Sequence, residues 1–256
     1  KKANIRATDA NGKTPLMYLL DEWGRMLSSR AFFSFQKKYT LTRYLISKGA
    51  RIFFKDKTGW TPLLYTSKWD TQTKIIEILY KEGASIHSKG KFGTTSLMNA
   101  ASRHSVEVMR FLIQKGANVD AQDNQGETSL MKAIKSLSRK QLVSIRFLIK
   151  NKAQINMKDK EGKTALHHAF GNLKLIRFLI LNKAGIDLQD NEGMTVLHLA
   201  TQMGNLNVIR FLVRNKADRL IKNNNKLIPY DMAKIKYNNK IISLKTFRKL
   251  ERWLKP

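Results

Sequence analysis

Gly162-Lys-Thr-Ala-Leu-His-His-Ala169 and, 31 residues later, Gly193-Met-Thr-Val-Leu-His-Leu-Ala200 carry one phrase: glycine, a variable residue, threonine, a small residue, leucine. It returns at Gly12-Lys-Thr-Pro-Leu16, Gly59-Trp-Thr-Pro-Leu63, Gly93-Thr-Thr-Ser-Leu97 and Gly126-Glu-Thr-Ser-Leu130. Successive glycines stand 47, 34, 33, 36 and 31 residues apart. A period near 33 marks a solenoid, in which each unit buries its apolar face only against its neighbours. Such a scaffold is built to hold a partner.

The second half of each unit is as regular. Phe111-Leu-Ile113 precedes Gly116-Ala117, Phe147-Leu-Ile149 precedes Lys152-Ala153, Phe178-Leu-Ile180 precedes Ala184, and Phe211-Leu-Val213 precedes Ala217. Each unit thus holds two short apolar stretches with helical spacing, parted by a polar break. The threonine suits a helix N-cap, and the proline suits the first turn, where its missing N–H costs nothing. The unit is helix–turn–helix plus an extended connection.

These phrases resemble the ankyrin-repeat family. The family's Thr-Pro-Leu-His-x-Ala signature is fullest at Thr164–Ala169 and Thr195–Ala200, and its Gly-Ala-x-x-Asp turn stands at Gly116-Ala-Asn-Val-Asp120. The resemblance implies an all-α ankyrin solenoid of stacked helix pairs, with β-hairpin-like turns projecting to one side and a concave palm. Residues 1–9 align with the tail of a preceding repeat, 10–235 hold about seven units, and 236–256 form a basic capping helix. The start inside a repeat tail, without a methionine, suggests a fragment of a longer protein. An aromatic insertion near 21–37 enlarges the first unit (Trp23, Phe32, Phe33, Phe35), and a smaller one lies near Ser136–Lys140. Lys152, Lys183 and Lys216 stand where the family prefers a left-handed glycine, at up to about 1 kcal/mol each.

Charge is the second unusual feature: 48 basic residues against 19 acidic, a net +29. Such a field favours an anionic partner, whether an acidic protein face, nucleic acid or anionic lipid. No cysteine is present, so disulfides and thiolate metal sites are excluded. No apolar run is long enough to cross a bilayer. These traits lead to an expectation of a cytoplasmic monomer. The lysine- and asparagine-rich style is similar to ankyrin proteins that intracellular bacteria deliver into host cells, which would place it in host cytoplasm.

In the family, hairpin tips and the exposed side of the first helix vary and bind. Those positions here give Lys55, Lys57, Trp60, Lys68, Trp69, Lys89, Lys91, Phe92 and Arg103, with Lys158, Lys160, Lys163, Met194 and Met203 further along. Trp60, Trp69 and Phe92 are expected to anchor a partner while the cations steer it. The alternative is that the tryptophans pack within the stack. Arg110, Arg146, Arg177 and Arg210 recur before the Phe-Leu pair and predict a ladder along the back, either a phosphate or membrane track or a solvated face.

No catalytic, metal or cofactor site is expected. Gly12-Lys-Thr14 and Gly162-Lys-Thr164 resemble the end of a phosphate loop, but the glycine five places upstream is Ala7 or Met157. His167 and His198 occupy the family's turn-stabilising position, and His168 is an outlier beside it. The expected function is non-catalytic protein binding on the concave surface. The alternatives are electrostatic binding of nucleic acid or anionic lipid, and a targeting segment of a larger, enzymatic or effector protein.

Overall fold

The computed structural model describes residues 4–21, 31–68 and 73–255, with 31–35 described in their backbone. The insertion residues 22–30 and Trp69 lie outside the described residues. The chain divides into two compact units, Lys1–Ala153 and Gln154–Pro256.

The first unit contains α1 (Pro15–Asp21), α2 (Ala31–Ser47), α3 (Pro62–Thr66), α4 (Thr73–Lys81), α5 (Ser96–Ser102), α6 (Val106–Gln114), α7 (Ser129–Lys135) and α8 (Gln141–Lys150). The odd-numbered helices pack in one row and the even-numbered in a second, each pair closing on itself before the next is added. The second unit repeats this with α9 (Ala165–His168), α11 (Val196–Met203) and α13 (Pro229–Asn238) in one row. Its other row is α10 (Leu173–Leu181), α12 (Leu206–Arg214) and α14 (Leu244–Leu254).

The repeated phrase builds these helices directly. Thr61, Thr95, Thr128 and Thr195 adopt extended backbone and accept the amide three residues on (3.2–3.4 Å), closing each helix start. The leucine that follows is buried in every unit: Leu16, Leu63, Leu97, Leu130, Leu166 and Leu197. The outer helices bury the matching Leu79, Leu112, Leu148, Leu179 and Leu212. Each such side chain contributes roughly 1.5–3 kcal/mol relative to exposure.

Hairpin tips stack through one backbone bond per step. Lys57 N–H donates to Asn11 O (2.9 Å), Lys91 N–H to Thr58 O (2.6 Å) and Asn124 N–H to Phe92 O (2.8 Å). In the second unit Asn191 donates to Glu161 O (2.9 Å) and Asn224 to Glu192 O (3.0 Å). This stacking explains the tip glycines. At Gly193 φ is +72°, and a Cβ would come within 2.8 Å of Asn224 N. Lys226 occupies the equivalent place in the next hairpin, also left-handed at φ +63°, but no hairpin lies on it among the described residues. Only the torsional cost remains there, so a lysine is tolerated. Lys152, Lys183 and Lys216 likewise keep the left-handed turn, at φ +65° to +67°.

An aspartate at the foot of five of the hairpins ties the turn together. Asp9, Asp56, Asp123, Asp159 and Asp190 each accept the amides two and four residues later through Oδ1. The second oxygen reaches the residue nine positions on, in the following helix. Tyr18 hydroxyl donates to Asp9 (2.6 Å), Tyr65 hydroxyl to Asp56 (2.5 Å) and Lys132 ammonium to Asp123 (2.6 Å), and His168 Nε2 lies 2.7 Å from Asp159. The outlying histidine therefore bolts a hairpin to its helix. The back of the solenoid also has a specific role: Arg110 lies over the Phe147 ring and Arg177 over Phe211, each 5.3 Å from the centroid. These two arginines staple successive outer helices.

Candidate functional site

The first unit carries the candidate site, and Asp56 organises it. Its carboxylate is buried and accepts four hydrogen bonds, from Thr58 N–H (2.8 Å), Thr58 Oγ1 (2.6 Å), Trp60 N–H (2.9 Å) and Tyr65 Oη (2.5 Å). Burial alone would raise this carboxyl, but the donated bonds win and hold it below the ordinary carboxylate range. Burial and the adjoining Asp56 charge push the Tyr65 phenol well above its usual value, so it stays a donor.

Trp60 projects from the arm fixed in this way and is half-buried. Its indole rests on the backbone of Gly90, where a Cβ would come within 2.8 Å of Nε1. Gly90 stands where the other hairpins have an aspartate or, at Asn223, an asparagine, and the missing side chain is the seat of the indole. The ring meets Tyr65 at 5.2 Å between centroids, tilted by 48°. Lys68, at the end of α3, sets its ammonium 4.0 Å from the Trp60 centroid and 5.0 Å from that of Tyr65.

Two residues of α1 and its hairpin complete the cluster. Asp21 Oδ1 pairs with Lys68 at 3.5 Å, and its Oδ2 pairs with Lys13 at 2.7 Å. Lys13 also stands 4.8 Å from the Tyr65 centroid and 5.4 Å from that of Tyr18. Two ammonium groups thus share one carboxylate above a floor of three aromatic rings. The two ammonium charges are balanced by the Asp21 and Asp56 carboxylates, and the cations are held by ring faces and partly shielded from water.

Around this cluster the structure places Lys55, Lys57, Lys89 and Lys91 on exposed hairpin positions. Lys57 and Lys91 belong to successive tips joined by the Lys91 N–H bond to Thr58 O. Lys89 Nζ donates to Gln122 O at 3.2 Å, and Lys91 Nζ lies 5.9 Å from the Phe92 centroid. Phe92 is 65% exposed although its carbonyl is fixed by the next hairpin. Arg103 is exposed at the C-cap of α5. The structure thus brings Trp60 and Lys68 into contact, and separately Lys91 and Phe92.

Lys13, Tyr18, Asp21 and Tyr65 were not anticipated as partners of Trp60. The signal for the two tyrosines was their place nine residues after a hairpin aspartate, and for the seat it was the glycine replacing that aspartate. The residue before the cap threonine changes role from one hairpin to the next. Glu127 takes that place in α7's hairpin, is 6% exposed, and pairs with Lys132 and Lys135. Burial opposes its charge, but those ammonium groups hold it ionised below the usual range. Met194, expected on the palm, is 5% exposed and belongs to the core.

A family model for ankyrin repeats in three copies matches residues 68–159 and 138–225, more than half of the chain. The chain belongs to the ankyrin-repeat family. Its structure resembles that of the ankyrin repeat domain of Bcl-3, a member of the IkappaB protein family, with a TM-score of 0.71. That likeness covers 94% of this chain and 99% of the other at 22% identity, and it concerns the fold alone. No curated protein sequence matches. Ankyrin repeat domains bind other proteins and are generally non-catalytic; no enzyme family is indicated. No helix among the described residues is long and apolar enough to cross a membrane.

Proposed function

We propose that this ankyrin protein is a non-catalytic scaffold whose first three hairpins and inner helices bind the acidic face of another protein. The observation that carries the reading is the Trp60–Lys68 pair, an indole and an ammonium 4.0 Å apart and both half-buried, beside exposed Phe92 and the lysine-bearing tips. Trp60 and Phe92 supply contact area at low entropic cost, while Lys13 and Lys68 offer preoriented charge to a carboxylate. Lys55, Lys57, Lys89, Lys91 and Arg103 steer the approach and act mainly on association rate. Trp69 extends the same anchor set. The scaffold works as a cytoplasmic monomer.

The test is a nuclease-treated pull-down at about 0.3 M salt, where exposed charges are screened within a few ångströms. A discrete protein should be retained by the wild type. W60A should speed its dissociation about thirtyfold, a loss of roughly 2 kcal/mol. K57E/K91E should instead slow association and leave dissociation nearly unchanged. An unaltered dissociation rate in W60A, with the variant folded, removes Trp60 from the site.

A further inference from the structure

The helix α14 closes the second unit and has two unlike faces. Phe247, Leu250 and Leu254 are buried against α12 and α13, with Phe247 stacked on Tyr237 at 4.8 Å. Lys245, Arg248, Lys249 and Arg252 are all exposed. At about 100° per residue these four fall in one sector opposite the buried face, and at 1.5 Å per residue they run for about 10 Å. The spacing i, i+3, i+4, i+7 contains no acidic residue.

The local acids do not balance this stripe. Glu251 accepts from the Tyr230 hydroxyl at 3.1 Å, and Asp231 Oδ2 accepts Ile228 N–H at 3.2 Å, so both carboxylates are engaged in the fold. Among the described residues none of the four cations is paired with a carboxylate; Arg252 stands only over the Trp253 ring, 5.9 Å from its centroid. Exposed Lys240 and Lys255 bracket the helix. At the entrance two aliphatic side chains face solvent: Ile241 is 64% exposed and Leu244 46%.

The geometry points to a second binding surface on this protein, in which the exposed face of α14 docks on an anionic phospholipid surface. Charge complementarity selects a polyanion, and a straight stripe on a convex helix can lie on a plane in any in-plane orientation. Ile241 and Leu244 decide between polyanions. Aliphatic side chains beside the cations gain by entering the boundary between headgroups and acyl chains, and gain nothing from a phosphate backbone. Each cation near an anionic leaflet strengthens attachment by roughly fivefold. The surface is separate from the palm residues of the first unit.

The experiment is co-sedimentation of the full chain with vesicles of phosphatidylcholine alone or containing about 30% phosphatidylserine, at about 0.1 M salt. Sedimentation only with the anionic vesicles is expected. K245Q/R248Q/K249Q/R252Q should lower that affinity at least a hundredfold, and I241S/L244S should lower it severalfold at unchanged charge. K74Q/K81Q/K150Q/K174Q, which removes four exposed cations elsewhere, serves as the charge control and should change it little. An equal loss in that control would mean a diffuse field and overturn the assignment. So would an unaltered affinity in I241S/L244S together with displacement of the vesicles by duplex DNA. All substituted side chains are solvent-facing, and a thermal melt of each variant confirms folding.

Discussion

In the first unit α1 and α5 close their starts on a methionine, and in the second α9 and α11 close theirs on a histidine. Thr14 and Thr95 N–H groups donate to the sulfurs of Met17 and Met98 at 3.4 Å, a weak contact that ends within its own repeat. Thr164 and Thr195 N–H groups donate instead to Nδ1 of His167 and His198 at 3.2 Å. The opposite nitrogen of each ring then bonds to the next repeat, His167 Nε2–H to Met194 O (3.0 Å) and His198 Nε2–H to Leu227 O (3.2 Å). The same helix start is thus local in one unit and bridging in the other. The first unit adds rings and charges to its own buried inter-repeat bonds, such as Asn99 Nδ2–H to Leu64 O (3.3 Å): Trp60 on Gly90, and Asp21 between Lys13 and Lys68. Cohesion by half-buried, polarised groups leaves a surface that can also recognise a partner, whereas cohesion by buried hydrogen bonds does not.

Four experiments measure this difference, beginning with the largest effect. Asp56→Ala strands four donors and should cost about 3–4 kcal/mol in urea unfolding. Asp190→Ala strands only the Glu192 and Met194 amides and should cost about half as much. Equal losses would show that the Tyr65 bolt adds nothing. The second effect concerns Lys38 in α2, which is 2% exposed and whose ammonium donates to Leu20 O at 3.3 Å. Burial lowers its pKa to about 8, only partly opposed by Asp21. A depressed folded value gives stability that is present above the unfolded pKa and lost as pH falls through the folded one. Between pH 8 and 10.5 the wild type should therefore gain up to about 3 kcal/mol relative to Lys38→Met.

The histidines give the matching effect on the acid side. Burial lowers both His167 and His198 below the usual imidazole range, against the opposing pull of the Met194 and Leu227 carbonyls. Their contribution is complete above the unfolded pKa near 6.5 and is lost as pH falls through the lower folded values. Thermal melts should thus show weakening from pH 7 toward pH 5. H167M/H198M should flatten that slope and lose about 1–2 kcal/mol at pH 7, since two carbonyls lose a donor. An unchanged slope would assign the acid sensitivity elsewhere. The smallest effect is at the turns: Lys183→Gly and Lys216→Gly should each stabilise by under about 1 kcal/mol, and Gly116→Lys should destabilise by as much. Nothing crowds a Cβ at Gly116, so torsion alone is being measured there.

The helix pairs could be read from the sequence because threonine caps, buried leucines and left-handed turns are local signals at a fixed period. The candidate site could be read only in part. Trp60 and Lys68 stood out as positions outside the framework, but their mutual contact depends on which face α3 presents. Asp21 lies at the edge of the enlarged first unit, where the period is broken and register gives no guidance. Arg110 and Arg177 looked like part of a charge ladder because periodicity shows recurrence, not the ring each guanidinium covers in the following repeat. Met194 looked palm-facing by its place in the repeat; its side chain is turned inward, with its sulfur 3.4 Å from Asn223 Nδ2.

The bond from four of the hairpin aspartates to the residue nine places on has a consequence for how this surface can diversify. Tyr18, Tyr65, Lys132 and His168 all satisfy it with different donors. Phenol, ammonium and imidazole each make the same bond there, while they differ in shape and charge. A repeat array with such a position can be rewritten one letter at a time toward a new partner without passing through an unfolded intermediate sequence.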